Sequence, residues 1–319
     1  MKNIFDSLKK HKRVIKYAFT LIVLVLMVYY LCKNRDILSL LEKLDFKYVI
    51  VIFFVQIVGV FLIAFTNREV ISILRKEIPL MEAFMLQYVN SFLNRIISEA
   101  GAVYRGVFLK EVYKLPYTKY ISTIASLYLI NFLSYSVIGL LSLLYIYLHH
   151  HRISYIVLVL FFVVLITSIV IIVINPYLKN KKRNKLLTWI ISILEGWKDI
   201  KREKGKLVIL TLLSIGTLIL ATVQSVLVYK GLGFKIGFME TLYMSSLAAI
   251  TTFVNITPDN LGLREGVYMF TSDVIGLDSD VILLGSLIIR AISLVNTFLI
   301  GGISYLILVP RYRSAKGGR

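Results

Sequence analysis

Residues 79–115 have the sequence PLMEAFMLQYVNSFLNRIISEAGAVYRGVFLKEVYKL, and this stretch decides the fold. It consists of an apolar piece of about 15–18 residues, a polar elbow that contains glycine, and a second apolar piece of about 10–14 residues. Each piece is too short to cross a hydrocarbon layer, which takes about 20 apolar residues, and too apolar for an ordinary loop. The pattern is typical of a re-entrant or broken membrane helix.

A second stretch with the same pattern occupies residues 239–275, METLYMSSLAAITTFVNITPDNLGLREGVYMFTSDVI. The two stretches correspond at a constant offset, because Gly106 and Gly266 are 160 residues apart and Glu99 then falls on Asp259. This order predicts an internal repeat. Three full crossings separate equivalent points, so the second half enters the membrane in the opposite sense. Inverted repeats of this kind are the architecture of many transporters.

Apolar runs long enough to cross the bilayer surround these stretches. They are residues 14–31, 48–66, 118–148, 153–174, 207–229 and 281–309. The composition agrees, since 58% of the residues are hydrophobic and only 17% are charged. We therefore predict an all-α polytopic membrane protein with six full transmembrane helices plus two re-entrant or broken segments.

The predicted organisation is a single membrane domain over residues 1–319. It comprises an N-terminal helix at 14–31, a first repeat at 48–174, a basic cytoplasmic loop at 176–206 and a second repeat at 207–309. The first run lacks a small-residue cleavage site and is longer than a signal-peptide core, so we expect a retained helix.

The basic residues that give the net charge of +19 are distributed according to the membrane topology. With a cytoplasmic N-terminus, the ends and loops expected inside carry 22 Lys and Arg residues, and those expected outside carry seven. This positive-inside bias predicts that both termini are cytoplasmic, in the cytoplasmic (inner) membrane of a bacterium or archaeon. Topology therefore accounts for the charge without a nucleic-acid partner. The basic run from Lys179 to Lys185 is also suited to anionic lipid head groups.

The two polar elbows contain the candidate site residues. These are Glu99 and Arg105 in the first elbow and Asp259, Arg264 and Glu265 in the second. Charge inside a membrane is costly and is usually kept for function, and the two clusters occur at equivalent places. The alternative is that the elbows lie at the head-group layer, where their acids and arginines merely pair with each other.

Arg290 lies about ten residues into the last apolar run, and is therefore deep in the membrane. A guanidinium there could bind a phosphate or carboxylate bidentately, or could form a structural pair with Glu265 or Asp259. Asn131 and Asn296 are embedded in the same way, and interhelical hydrogen bonding explains them.

Other signals for chemistry are weak. Three consecutive residues, His149 to His151, do not converge easily on a metal, and Asp278 and Asp280 suit the first turn of the following helix. The single Cys32 excludes a disulfide framework. No phosphate-binding glycine loop, nucleophile elbow or paired zinc motif occurs. We therefore expect no cofactor, no metal and no catalytic residue.

Two motifs resemble a known family. The elbow SEAGAVYRGVFLKE at residues 98–111 precedes a long apolar span, and NITPDNLGLREGVY at residues 255–268 precedes a span that contains Arg290 and ends in Gly301-Gly302. They are similar to the signatures of the lysylphosphatidylglycerol synthase transmembrane region, also called the flippase-like family, over about residues 48–309. The second motif is more specific, because its G-x-R-E-G core is intact from Gly262 to Gly266.

The resemblance implies movement of a lipid, such as an aminoacylated phospholipid, between leaflets. It assigns the elbows, Arg105, Arg264, Glu265 and Arg290 to substrate handling. Members that synthesise the lipid have a soluble aminoacyl-transferase domain after the membrane region, whereas this chain stops at Arg319, so we do not expect synthesis.

Two positions depart from the family pattern. Many relatives have an acidic–basic pair near the place where this chain has Leu127 and Tyr128. The elbow of the family usually has Pro-Gly where this chain has Ile97-Ser98. Both differences bear on whether this chain handles the same substrate as those relatives.

The leading hypothesis is translocation of an anionic or glycosylated lipid. Arg105, Arg264 and Arg290 would bind its head group, and Glu99, Asp259 and Glu265 would pair with them in the empty state. The absence of a nucleotide-binding motif favours passive scrambling or ion coupling. Two alternatives stay open: a non-catalytic scaffold that binds enzymes of envelope lipid or glycan synthesis, and a membrane-embedded glycosyltransferase component.

Overall fold

The computed structural model describes Val25, Tyr29 and residues 39–97, 99–174, 185–251, 260 and 262–317, and the regular secondary structure in this part of the chain is helical. After a single 3-10 turn at Leu40–Lys43, the α-helices follow in this order. They are α1 (Phe46–Ile73), α2 (Leu80–Ile96), α3 (Ala100–Tyr113), α4 (Tyr117–His150), α5 (Tyr155–Ile174), α6 (Lys185–Arg202), α7 (Lys204–Gly231), α8 (Phe238–Thr251), α9 (Leu263–Phe270), α10 (Ser272–Ile275) and α11 (Ser279–Gly317).

Five of these helices, α1, α4, α5, α7 and α11, are long and apolar enough to cross a membrane. They confirm five of the predicted spans, and the chain is a multi-pass membrane protein. The sixth predicted span, residues 14–31, lies outside the described residues except for Val25 and Tyr29. Large apolar side chains point away from the bundle, as Ile156, Val159 and Val163 do on α5, because lipid can solvate them.

The first polar stretch forms two short helices, one with its C-cap at Ile97 and the next with its N-cap at Glu99. Helices α2 and α3 have 17 and 14 residues, so they are about 26 and 21 Å long, less than the roughly 30 Å of a hydrocarbon core. Glu99 makes the turn with a left-handed φ of 70°. The helices then touch at Gly101, where a Cβ atom would lie 1.9 Å from the carbonyl oxygen of Asn90. Only glycine permits this approach.

The second polar stretch is broken in the same way. Helix α8 has 14 residues, and α9 and α10 have eight and four. Helix α9 begins after Gly262, whose φ of 83° is in the region that favours glycine. Residues 252–259, which precede it, are outside the described part of the chain.

The packing of the helices is reciprocal between the two halves. Helix α1 packs along α7; α2 packs on the later long helix α11, and α8 packs on the earlier long helix α4. Close contact between α2 and α11 depends on Gly301, where a Cβ atom would lie 2.8 Å from Cβ of Phe92 and 3.0 Å from the carbonyl oxygen of Tyr88. The largest buried cluster joins α4, α5, α7, α8 and α11 around Phe161, Tyr229 and Tyr243.

Within residues 176–206, predicted as a basic loop, the structure contains α6. Ile193, Leu194, Trp197 and Ile200 are buried on one side of this helix, which packs against α4. Their spacing follows the helical period, and the charged residues between them, such as Lys198, are exposed. The helix therefore covers the bundle with its apolar face and leaves its charges in water.

Candidate functional site

A cavity of about 590 Å³ lies between the two halves of the bundle. Its walls come from α1, α2, α3 and α4 of the first half and from α7, α8, α9 and α11 of the second. Lining residues such as Val60, Asn131 and Leu218 are near the middle of α1, α4 and α7, so the cavity is at mid-depth of these spans. Its volume is within the range of about 300–1,000 Å³ that is usual for small-ligand sites.

Two predicted site residues, Arg105 and Arg264, line this cavity, one from each half of the chain. They are the charged residues of the described lining, which contains no aspartate or glutamate. Arg105, which no carboxylate of the described residues neutralises, therefore presents positive charge to the interior of the cavity. A site with this charge attracts an anion, most strongly where water is excluded.

Arg105 is held in place by amide and aromatic groups. Its Nη1 donates a 3.0 Å hydrogen bond to Oε1 of Gln87, and the same oxygen accepts a 3.0 Å hydrogen bond from Nδ2 of Asn67. The guanidinium lies 5.8 Å from the centre of the Tyr120 ring. Its Nε is buried without a hydrogen-bond partner, and no carboxylate of the described residues pairs with it. The positive charge of Arg105 is thus oriented but not neutralised by the described residues.

Arg264 and Glu265 are neighbours on α9 and have different roles. Successive side chains of a helix point about 100° apart, so the two residues face different surroundings. Arg264 lines the cavity with its guanidinium 5.3 Å from the centre of the Tyr268 ring. Glu265 points away from it and is 2% exposed.

Glu265 and Arg290 form a buried ion pair. Nε of Arg290 donates a 2.9 Å hydrogen bond to Oε1 of Glu265, and Nη2 lies 2.7 Å from the same oxygen. Oε2 of Glu265 accepts a 2.8 Å hydrogen bond from the backbone N–H of Gly262, which caps the start of α9. Of the alternatives left open for Arg290, the structure has the pair with Glu265. Together the two residues hold α9 against α11.

The remaining predicted residues are outside the cavity. Glu99 is exposed at the turn between α2 and α3, is not part of the cavity wall, and forms no ion pair with a described residue. Its expected pairing with an arginine is not seen in the described part of the chain. Asp259 lies outside the described residues.

Amide side chains dominate the polar part of the described wall, and the sequence had pointed to Asn131 among them. The full set is Gln56, Asn67, Gln87, Asn90, Asn131 and Gln224. Asn131 accepts a 2.8 Å hydrogen bond from Ser214, as expected for interhelical bonding, and it also faces the cavity. Gln56 and Gln224 lie within apolar spans, and that position is the signal that could have identified them.

At the ends of the bundle, the first turns of α2 and α8 are tied to the long helices. Glu82 of α2 lies 2.7 Å from Arg311 of α11 and also accepts a 2.7 Å hydrogen bond from the hydroxyl of Tyr113. Burial, together with this bond, raises the pKa of Tyr113, so its hydroxyl remains a donor. Glu240 of α8 lies 2.9 Å from His150 of α4. Each short helix is therefore anchored to the long helix of the other half.

In the part of the molecule that the structure describes, no group of three His, Cys, Asp or Glu side chains converges. Nδ1 of His149 donates a 3.0 Å hydrogen bond to the carbonyl of Tyr145 in its own helix, and His150 contacts Glu240. The charged and amide residues of the cavity are suited to binding an anion by hydrogen bonds.

Comparison with known proteins identifies a family. Residues 13–301 match the model of the family described as the lysylphosphatidylglycerol synthase TM region, which covers most of the chain. Searches of curated proteins and of solved structures found no match.

Proposed function

Because the chain belongs to the family of the lysylphosphatidylglycerol synthase transmembrane region, we propose that it moves a lipid between the two leaflets of the membrane without changing it chemically. The substrate in this proposal is an anionic or glycosylated lipid. The observation that carries it is the central cavity, in which Arg105 and Arg264 from opposite halves of the chain line one space at mid-depth of the spans.

The physical argument concerns the cost of moving a head group through hydrocarbon. A phosphate that leaves water loses its hydration, and a fixed cation of the protein must replace it. A guanidinium is suited to this task because its planar donors match phosphate oxygens. Arg105 is preorganised by Gln87 and Tyr120 and has no carboxylate partner among the described residues, so its charge is available to a substrate.

The architecture we propose is an inverted repeat with six full crossings and two re-entrant segments, α2–α3 and α8–α10. The reciprocal packing of α2 on α11 and α8 on α4 supports it. The ion pairs Glu82–Arg311 and Glu240–His150 support it as well, because they join equivalent first turns to equivalent helix ends. In such transporters the substrate site lies at the interface of the repeats, where the cavity is.

We further propose that the protein is in the cytoplasmic membrane of a bacterium or archaeon, with both termini cytoplasmic. The excess of basic residues in the predicted inner loops supports this orientation. Its partner is then a phospholipid or lipid-linked glycan that is made on one side and used on the other.

The test is a leaflet assay in proteoliposomes that contain the purified full chain. Fluorescent phospholipids are incorporated at trace level, and the fraction that an impermeant quencher reaches is followed over time. We expect transfer that protein-free vesicles lack. The double variant Arg105→Ala/Arg264→Ala should slow transfer by tenfold or more, about the effect of losing one charge-assisted contact.

The matched control is Arg202→Ala, which removes an exposed arginine at the end of α6, outside the cavity wall. This variant should transfer lipid at the rate of the unmodified chain. Absence of transfer for every anionic lipid tried would refute the proposal, and so would equal rates in the double variant and the control.

A further inference from the structure

We infer that Gln87 binds the ligand directly, and that its amide nitrogen and the guanidinium of Arg105 form an oxyanion subsite on the first-half wall of the cavity. The ligand group is an oxygen anion, such as a phosphate, which accepts a hydrogen bond from Gln87 beside the positive charge of Arg105. This inference rests on the proposed function and adds to its site a neutral residue that was not among the predicted ones.

The direction of the Gln87 amide follows from the chemistry of its neighbours. An arginine side chain carries only hydrogen-bond donors, so the atom 3.0 Å from Nη1 of Arg105 must be the amide oxygen of Gln87. The same oxygen accepts the 3.0 Å hydrogen bond from Nδ2 of Asn67. The oxygen and nitrogen of an amide are otherwise easily interchanged, but here the arginine decides between them. The nitrogen of Gln87 therefore lies on the other side of the amide.

The nitrogen of Gln87 is the end that a ligand can use. Both side-chain hydrogen bonds that Gln87 makes to described residues go to its oxygen, so the two N–H groups of Nε2 have no partner among those residues. Gln87 is only 9% exposed, yet it lines the cavity. A donor that is largely withdrawn from water and lacks a partner is costly, so an acceptor that enters the cavity gains free energy by meeting it.

A second buried amide shows what a purely structural role looks like. Asn296 of α11 is 2% exposed and uses both ends of its amide within the protein. Its Oδ1 accepts a 2.8 Å hydrogen bond from the hydroxyl of Tyr88, and its Nδ2 donates at 3.2 Å to the carbonyl oxygen of Phe53. Asn296 is not part of the cavity wall. In Gln87 only the oxygen is used in this way, and this contrast favours a ligand-binding role for its nitrogen.

Arg105 brings positive charge to the same place. Its hydrogen bond to Gln87 joins the guanidinium to the amide, so the cation and the N–H groups of Nε2 lie side by side. Arg105 pairs with no carboxylate of the described residues. Asn67 is on α1, Gln87 on α2, Arg105 on α3, and Tyr120, whose ring faces the guanidinium, on α4. Four helices therefore fix the subsite before a ligand arrives, and such preorganisation raises affinity because little side-chain freedom is lost on binding.

The first variant reverses the nitrogen end of Gln87 and keeps the rest. In Gln87→Glu, one carboxylate oxygen can accept from Asn67 and Arg105 as the amide oxygen does, whereas the other oxygen replaces the N–H groups and can only accept. We expect fluorescent phosphatidylglycerol in neutral zwitterionic vesicles to be transferred at least about tenfold more slowly than by the unmodified chain. The melting temperature should not fall, because Arg105 gains a charged partner. A purely structural Gln87 would instead leave transfer unchanged in this variant.

Asn131→Asp is the matched control for the added charge. Asn131 also lines the cavity and also uses its oxygen, which accepts a 2.8 Å hydrogen bond from Ser214, so the substitution makes the same chemical change. From Tyr120 to Asn131, α4 rises about 16 Å along its axis, so the new carboxylate is far from Arg105. We expect transfer in Asn131→Asp to be at least about fivefold faster than in Gln87→Glu. Equal losses would show that any carboxylate in the cavity blocks the anion and would overturn the subsite at Gln87.

A second arm distinguishes a lipid phosphate from free phosphate. The melting temperatures of the unmodified chain and of Gln87→Glu in detergent are compared in sodium phosphate and in sodium chloride at equal ionic strength. If the subsite takes the lipid head group, Gln87→Glu slows transfer. If it takes free phosphate only, transfer stays normal and the variant loses the stabilisation by phosphate that the unmodified chain shows.

A Gln87→Glu variant that changes neither transfer nor stabilisation by phosphate would overturn the inference and leave translocation standing. No transfer by the unmodified chain would overturn the proposed function itself, and the phosphate arm would still test the subsite.

Discussion

Glu265 of α9 and Arg290 of α11 are joined inside the membrane domain, with Nε of Arg290 donating to Oε1 of Glu265 at 2.9 Å and both residues at most 9% exposed. The pair is neutral as a unit, whereas each member alone would be an uncompensated charge in a medium that solvates it poorly. This relationship makes Arg290 a structural residue of the site and leaves Arg264, the neighbour of Glu265, to face the cavity.

Breaking this pair should destabilise the protein. Glu265→Gln keeps the cap on Gly262, because glutamine also accepts from a backbone N–H, but it leaves Arg290 charged and buried. We expect a loss of about 3–5 kcal/mol, measured by unfolding in detergent. The double variant Glu265→Gln/Arg290→Met removes the cation as well as the anion of the pair and should recover most of the loss. Stability as low in the double variant as in the single one would contradict this account.

The turn between α2 and α3 should tolerate only glycine at position 101. Gly101→Ala would place a methyl group 1.9 Å from the carbonyl oxygen of Asn90, so the two helices would have to separate. We expect a lower melting temperature and less monodisperse protein by size-exclusion chromatography.

Gly266→Ala is the matched control, because a Cβ atom there has no neighbour within 4 Å. Alanine is about 1 kcal/mol better than glycine in a helix, so this variant should be as stable as the unmodified chain or slightly more stable. Equal damage from both substitutions would show that the contact with Asn90 does not limit the turn.

Arg311 should stabilise the first turn of α2 through Glu82. The side chain of Glu82 is buried, and Arg311→Gln would leave it with Tyr113 as its neutral partner. We expect Arg311→Gln to lower the free energy of unfolding by about 1–3 kcal/mol. Arg313→Gln, an exposed arginine two residues further on, should change it by less than about 0.5 kcal/mol. Both effects are measured as melting temperatures. A melting temperature of Arg311→Gln that is not below that of Arg313→Gln would contradict a stabilising role for Arg311.

The orientation can be tested with single cysteines in a Cys32→Ser background. We expect Arg152→Cys, in the turn between α4 and α5, to react with an impermeant maleimide on intact cells. Lys198→Cys, on the exposed side of α6, should react only after the membrane is permeabilised. The opposite labelling pattern would reverse the proposed topology.

The sequence alone determined the spans and the places where they break. Apolar length is a local property, so α1, α4, α5, α7 and α11 could be predicted from runs of residues. The two broken stretches, with Gly101 in the first elbow and Gly262 in the second, were also visible from polarity and glycine spacing. The G-x-R-E-G motif and its surroundings indicated the family, which the match over residues 13–301 confirms.

Only the tertiary structure decided which polar groups meet, because partners are distant in sequence. Arg290 and Glu265 are 25 residues apart, and Gln56 bonds to the carbonyl of Ile289, 233 residues away. The direction of each side chain also matters: neighbours on one helix, Arg264 and Glu265, face the cavity and the helix interface respectively. Hydropathy does not indicate which polar groups contact each other or in which direction a side chain points. Both depend on how the two halves of the chain pack.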